Sequence, residues 1–142
     1  ALLKLEVLIK INLKYMNLQN FEAFTKIGAK LSNNTISINK SFNFGFNSGF
    51  YHKNNLKQYS FVVLMYNKAD KSIAFFFTNN KTEGAFSLTH SENRTSASTT
   101  ARSFFSHYEL KIPELVGKFE PEMAEHLTFG KIYYIELNKK LN

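Results

Sequence analysis

Two seven-residue runs, Phe61–Asn67 (FVVLMYN) and Ser72–Thr78 (SIAFFFT), flank the short polar link Lys68-Ala69-Asp70-Lys71. Both runs are rich in β-branched and aromatic residues and neither holds Gly or Pro, so each reads as a strand. A link of four residues joins antiparallel neighbours only, because a parallel return needs a crossover of about a dozen residues or more. The pair therefore predicts a β-hairpin, and the rest of the chain must be compatible with it.

The same logic extends along the sequence. Thr35 to Lys40 (TISINK) alternates with Ile36 and Ile38 on one face, and Phe42, Phe44 and Phe46 alternate with Ser41, Asn43 and Gly45. Phe86 and Leu88 alternate within residues 84–90, and KIYYIEL at 131–137 reads as a closing strand. Helical spacing occurs at Leu18, Phe21, Phe24 and Ile27, with Asn17 as a candidate cap. A helical turn is expected from Asn47-Ser48-Gly49, and Thr100 to Tyr108 reads as a helix with Ala101, Phe104, Phe105 and Tyr108 on one side. Ser91 to Thr99 is a polar loop or an edge strand, and Pro113 and Pro121 bound an acidic loop region. Helix, antiparallel strands, helix, strand is the order of an α+β fold. No linker divides the chain, so residues 16–142 read as a single α+β domain preceded by an extension at 1–15. That extension (ALLKLEVLIKINLKY) is interrupted by Lys4, Glu6, Lys10 and Lys14, too short and too charged for a membrane span. It lacks a secretory cleavage site. Two readings of it stay open: a segment ahead of a start at Met16, or an amphipathic helix built on Leu2, Leu5, Leu8 and Ile9. The expected location is the cytoplasm, without membrane association.

Several chemistries have no home in this sequence. Cysteine is absent among the 142 residues, which excludes disulfides, thiolate nucleophiles and thiolate zinc sites. The single aspartate, Asp70, falls in the hairpin turn, whereas metal-dependent phosphoryl transfer needs clustered carboxylates. His52, His90, His107 and His126 show no metal-ligand spacing. Glu120 and Glu122 fit a solvated loop better than an acid/base pair, and no serine stands in a GxSxG elbow. The expectation is a protein that is not an enzyme and uses no cofactor or metal.

Charge supplies the positive indication. The net charge is +7, and all of that excess falls between Lys26 and Arg102, where ten basic residues meet three acidic ones. Sixteen of the eighteen basic residues are Lys, suited to phosphate contact without base reading. Lysines and aromatics interleave through Lys40–Phe46, Tyr51–Tyr59 and Lys71–Lys81. Rings that stack bases beside cations that follow the backbone are what sequence-tolerant single-strand binders require. An alternating Phe face usually points inward, so the tyrosines and strand-end cations are the better contacts. The candidate nucleic-acid-binding residues are Lys40, Tyr51, Lys53, Lys57, Tyr59, Lys71, Lys81, Arg94 and Arg102. Phe104, Phe105 and Tyr108 are the candidate dimer seam. A protein-interaction scaffold and a small apolar-ligand binder with a Phe-lined pocket are the alternatives.

Three segments carry a resemblance: Ile36-Ser37-Ile38-Asn39-Lys40-Ser41 with the following Ser48 to Leu56; Val63 to Asn67 with Ile73-Ala74-Phe75; and Ser96 to Phe105 ending at His107-Tyr108. Together they resemble a family of uncharacterised prokaryotic proteins with an "IS-x-N-K-S-G" opening and an "ISA-R/K-SF-x-x-Y" helix start. That family is similar in fold to the transcriptional positive-coactivator and Whirly class of single-stranded-DNA-binding domains. The resemblance implies a curved antiparallel sheet with packed helices, a helix-mediated homodimer, and single-stranded DNA or RNA as partner in transcription regulation. Phe42 stands where the family pattern has Gly, which predicts a reshaped turn after the first strand.

Overall fold

The computed structural model describes residues 34–142, which belong to one compact unit. The expected helix at 17–31 and the 15/16 boundary lie outside the described residues. Ten strands form two five-stranded antiparallel sheets. In the first, β6 (Thr89–His90), β7 (Ala97–Thr100), β2 (Asn43–Phe46), β1 (Ile36–Asn39) and β8 (Gly117–Phe119) lie side by side in that order. In the second the order is β5 (Phe86–Ser87), β3 (Phe61–Asn67), β4 (Ser72–Thr78), β10 (Gly130–Glu136) and β9 (Glu122–His126). Helices α1 (Ser48–Lys53), α2 (Arg102–His107) and α3 (Ile112–Leu115) and a 3-10 turn at Leu56–Gln58 connect and cap the sheets. The class is α+β, with two sheets where a single curved sheet was expected. Among the described residues no helix is long and apolar enough to cross a membrane.

The hairpin expected from the two seven-residue runs is β3–β4, paired from Phe61↔Thr78 to Asn67↔Ser72. Asp70 closes its turn: its N–H donates to Asn67 Oδ1, and Asn67 Nδ2 donates to its carboxylate. Ile36, Ile38, Phe44 and Phe46 from the first sheet meet Ile73, Phe75 and Phe77 from the second. Phe44 lies edge-on to Phe75 with ring centroids 5.1 Å apart, and Phe46 edge-on to Phe77 at 5.2 Å. Facing sheets stand about 10 Å apart, so large flat side chains fill the gap and the richness in Phe follows. The aromatic strand face is therefore interior. The Lys40–Phe46 interleaving does not make a basic aromatic sheet surface, because Phe44 and Phe46 point away from Lys40's solvent.

Phe104 and Phe105 are also spent within the chain. Phe105 stacks on Phe44 at 5.1 Å, and Phe104 packs edge-on against the same ring at 6.2 Å. Both are buried, so they offer no surface for a seam; Tyr108, 41% exposed, is the one of the three that does. Phe42 has φ 63°, the left-handed region that Gly occupies freely. Its ring is held by Phe105 at 6.0 Å and by the Arg102 guanidinium, 4.3 Å from its centroid.

Candidate nucleic-acid interface

The nine cations and tyrosines singled out above do not share one surface. Eight of them divide between the two ends of the sandwich, and the ninth, Tyr51, is buried. Phe46, which leads into α1, touches Phe77 near the end of β4, so α1, the 3-10 turn and the β4 exit share one end. Lys53, Lys57 and Tyr59 are there, and Lys81 follows in the loop after β4. Arg94 joins them, its Nη2 donating to the Lys57 carbonyl at 2.7 Å. At the other end, Tyr66 meets Tyr108 with centroids 5.0 Å apart, which brings the β3–β4 turn beside α2. Lys40, Lys71 and Arg102 belong to that end, and Arg102 is already stacked on Phe42.

The first end holds a pocket of about 410 Å³. Its walls bring together Lys53 and Tyr59 with Lys131 and Tyr133 of β10, and the backs of Phe76 and Phe77 close it. The segment between α1 and the 3-10 turn adds Asn54, Asn55 and Gln58. That segment turns sharply because Asn55 adopts φ 51°, ψ 48°, a conformation Asn tolerates better than most residues. Asn54 Nδ2 donates to the Phe50 carbonyl at 3.0 Å, which fixes the end of α1. Two phenols, two ammonium groups and two uncommitted amide side chains thus face one small volume. Burial, and then the neighbouring Tyr59, hold the Tyr133 phenol above its ordinary range. Among the described residues the one ion pair is Lys139–Glu136 at 3.5 Å. Neither Lys53 nor Lys131 is in an ion pair among the described residues, although Glu125 stands directly across from Lys131 in the β9–β10 register.

Tyr51 has a different role from the one its sequence neighbours suggested. It is 1% exposed, so its ring has no free face for a base. Its hydroxyl lies 2.8 Å from His90 Nδ1, and His90 Nε2 lies 2.7 Å from the Tyr59 carbonyl. A carbonyl only accepts, so His90 carries its proton on Nε2 and Nδ1 accepts from the Tyr51 hydroxyl. The chain Tyr51–His90–Tyr59 pins the backbone of the pocket tyrosine from the core side. Tyr51 thus positions Tyr59, and ligand contact falls to Tyr59 itself.

Lys131, Tyr133 and His90 were missed from sequence. The alternation Lys131, Tyr133, Ile135 does place the first two on one face of a strand. That β10 would lie beside β4, and so beside Tyr59, is a non-local pairing with no local signal. Among the described residues no three His, Asp or Glu side chains gather as metal ligands would. Comparison of the chain with protein-family models, with curated proteins and with solved structures found no match.

Proposed function

We propose that this is a non-enzymatic nucleic-acid-binding protein that prefers single strands and holds them at the pocket walled by Tyr59 and Tyr133. The observation that carries the reading is the convergence of Lys53 and Lys131 on two tyrosines, with neither lysine in an ion pair among the described residues. Lys57, Lys81 and Arg94 extend the positive field around it. Sequence-tolerant single-strand binding needs this pairing of rings and cations, with stacking worth roughly 1–3 kcal/mol per base. A duplex cannot present an unstacked base to a pocket of this size, which is why the reading favours unpaired strands. The contact surface in this reading is the end of the sandwich rather than a sheet face.

A coactivator/Whirly-like arrangement, a homodimer and a role in transcription regulation belong to the same proposal and rest on the resemblance alone, and a cytoplasmic location is proposed with them. In such a dimer Tyr108 is the seam residue with surface to contribute. Fluorescence anisotropy with labelled single-stranded and duplex oligonucleotides of about 16 nucleotides, repeated over a series of salt concentrations, tests the proposal. Tighter binding of the single strand, weakening linearly on a log–log salt plot, is expected from counterion release. Binding of neither form, or binding indifferent to salt, removes it.

A further inference from the structure

The outer face of the second sheet is unusual for a sandwich. Strands with one face in the core normally alternate apolar-in with polar-out. β3, β4 and β10 instead carry apolar side chains outward as well. Register aligns Met65 with Ala74 and Ala74 with Tyr134, and in the next row Ile132 pairs with Ala124. Ile132 is 8% exposed yet stands apart from the core cluster between the sheets. It belongs to the floor of a second, outward-facing hollow of about 840 Å³. Small-ligand sites span roughly 300–1,000 Å³. The hollow exists because Ala74 and Ala124 share rows with Met65, Tyr134 and Ile132, so that short side chains make a depression between long ones.

One end of the hollow is polar. Asn67, Ser72 and Glu136 form the adjoining cross-strand row, and Asp70 reaches in from the turn. The Asp70 carboxylate is fixed there by Asn67 Nδ2 at 3.0 Å. Lys68 shares this rim, leaving two carboxylates against one ammonium among the residues that line it. Lys139 approaches Glu136 at 3.5 Å, and its side chain is the exposed member of the pair while Glu136 is half-buried. His126 stands across the hollow. No lining residue is shared with the pocket at Tyr59.

We propose that this hollow is a binding site for a small organic amine with a flat apolar body. The body rests on Ala74, Ala124 and Ile132 between Met65 and Tyr134, and the ammonium group meets Asp70 and Glu136. The inference stands on different residues from the nucleic-acid proposal and survives or fails separately. An NMR titration of the full chain with tryptamine, and with indole-3-propionate as the acid of matched shape, tests it. Tryptamine is expected to shift the Ala74, Ala124 and Ile132 methyl signals saturably, and the acid to bind at least about tenfold more weakly. Glu136→Gln is expected to weaken the amine several-fold without changing the acid, and Ala74→Leu to fill the hollow and abolish both. Absence of saturable shifts, or equal affinity for amine and acid, overturns the proposal. Shifts that follow protein concentration without added amine also overturn it, because a second copy of the chain would then be the occupant.

Discussion

Substitution of Phe42 separates backbone strain from side-chain packing, because the two act in opposite directions at this residue. An L-residue held in the left-handed region costs about 1–2 kcal/mol, and Phe42 is there with φ 63°. Its half-buried ring offsets the cost. Burial contributes about 1 kcal/mol, half of the full value for Phe. The pair with Phe105 adds about 0.5–1.5 kcal/mol, and the Arg102 guanidinium over the ring about 0.5–1 kcal/mol. Phe42→Ala removes the ring and keeps the strain, so it should destabilise by about 3 kcal/mol from those sums. Phe42→Gly removes the ring and releases the strain, while its looser unfolded chain returns about 0.5–1 kcal/mol of that gain. The Gly variant should therefore be the more stable of the two by roughly 0.5–1 kcal/mol, the reverse of the usual order at strand and helix positions. Urea unfolding of both variants beside the parent reads this as a difference in midpoint at constant slope. An Ala variant as stable as the Gly variant, or more so, refutes the strain argument.

Lys131→Ala should weaken single-strand binding and lower the log–log salt slope by about 0.7, the value for one phosphate contact on a single strand; an unchanged slope places Lys131 outside the contact. Tyr51→Phe leaves the Nδ1 of half-buried His90 without its donor and should cost about 0.5–1.5 kcal/mol in urea unfolding, whereas a neutral result denies the Tyr51–His90–Tyr59 chain. Tyr133 is neutral below its raised folded-state pKa. Above about pH 10 the unfolded chain ionises this phenol first, so its contribution to stability is present below that pH and is lost as pH rises through the folded value. Tyr133→Phe should flatten that part of the alkaline stability loss, and a curve parallel to the parent's argues against the shift.

How much of this was legible in the sequence depended on how local the cause was. The β3–β4 hairpin, the Ile36/Ile38 and Phe44/Phe46 faces and α2 are set by neighbours in sequence, and all stand where periodicity put them. Ser91–Thr99 read as a polar loop or an edge strand and Thr100 as the start of a helix, yet Ala97–Thr100 forms β7, which lies between β6 and β2. Thr99 is buried there because its hydroxyl donates to the Ser87 carbonyl at 2.9 Å, a partner twelve residues away that periodicity does not reveal. The region between Pro113 and Pro121 read as acidic loop, and Glu122 as solvated loop, yet Gly117–Phe119 forms β8 and Glu122 begins the edge strand β9, where exposed glutamates are accommodated equally well. The candidate site was half legible. Lys53 and Tyr59 were named from interleaving, while Lys131 and Tyr133 arrive through the pairing of β10 with β4. Tyr51 was misplaced because its environment alternates polar and aromatic on a short helix, where sequence does not say which side faces the core.

Ultraviolet cross-linking of the full chain to a thymidine oligonucleotide, with the attachment sites located by mass spectrometry, tests the account most directly. Attachment at Tyr59 or Tyr133, suppressed by salt and by Lys131→Ala, is the predicted result. Attachment confined to Phe42 and Tyr108 at the opposite end of the sandwich, or none under conditions that cross-link a known single-strand binder, contradicts it.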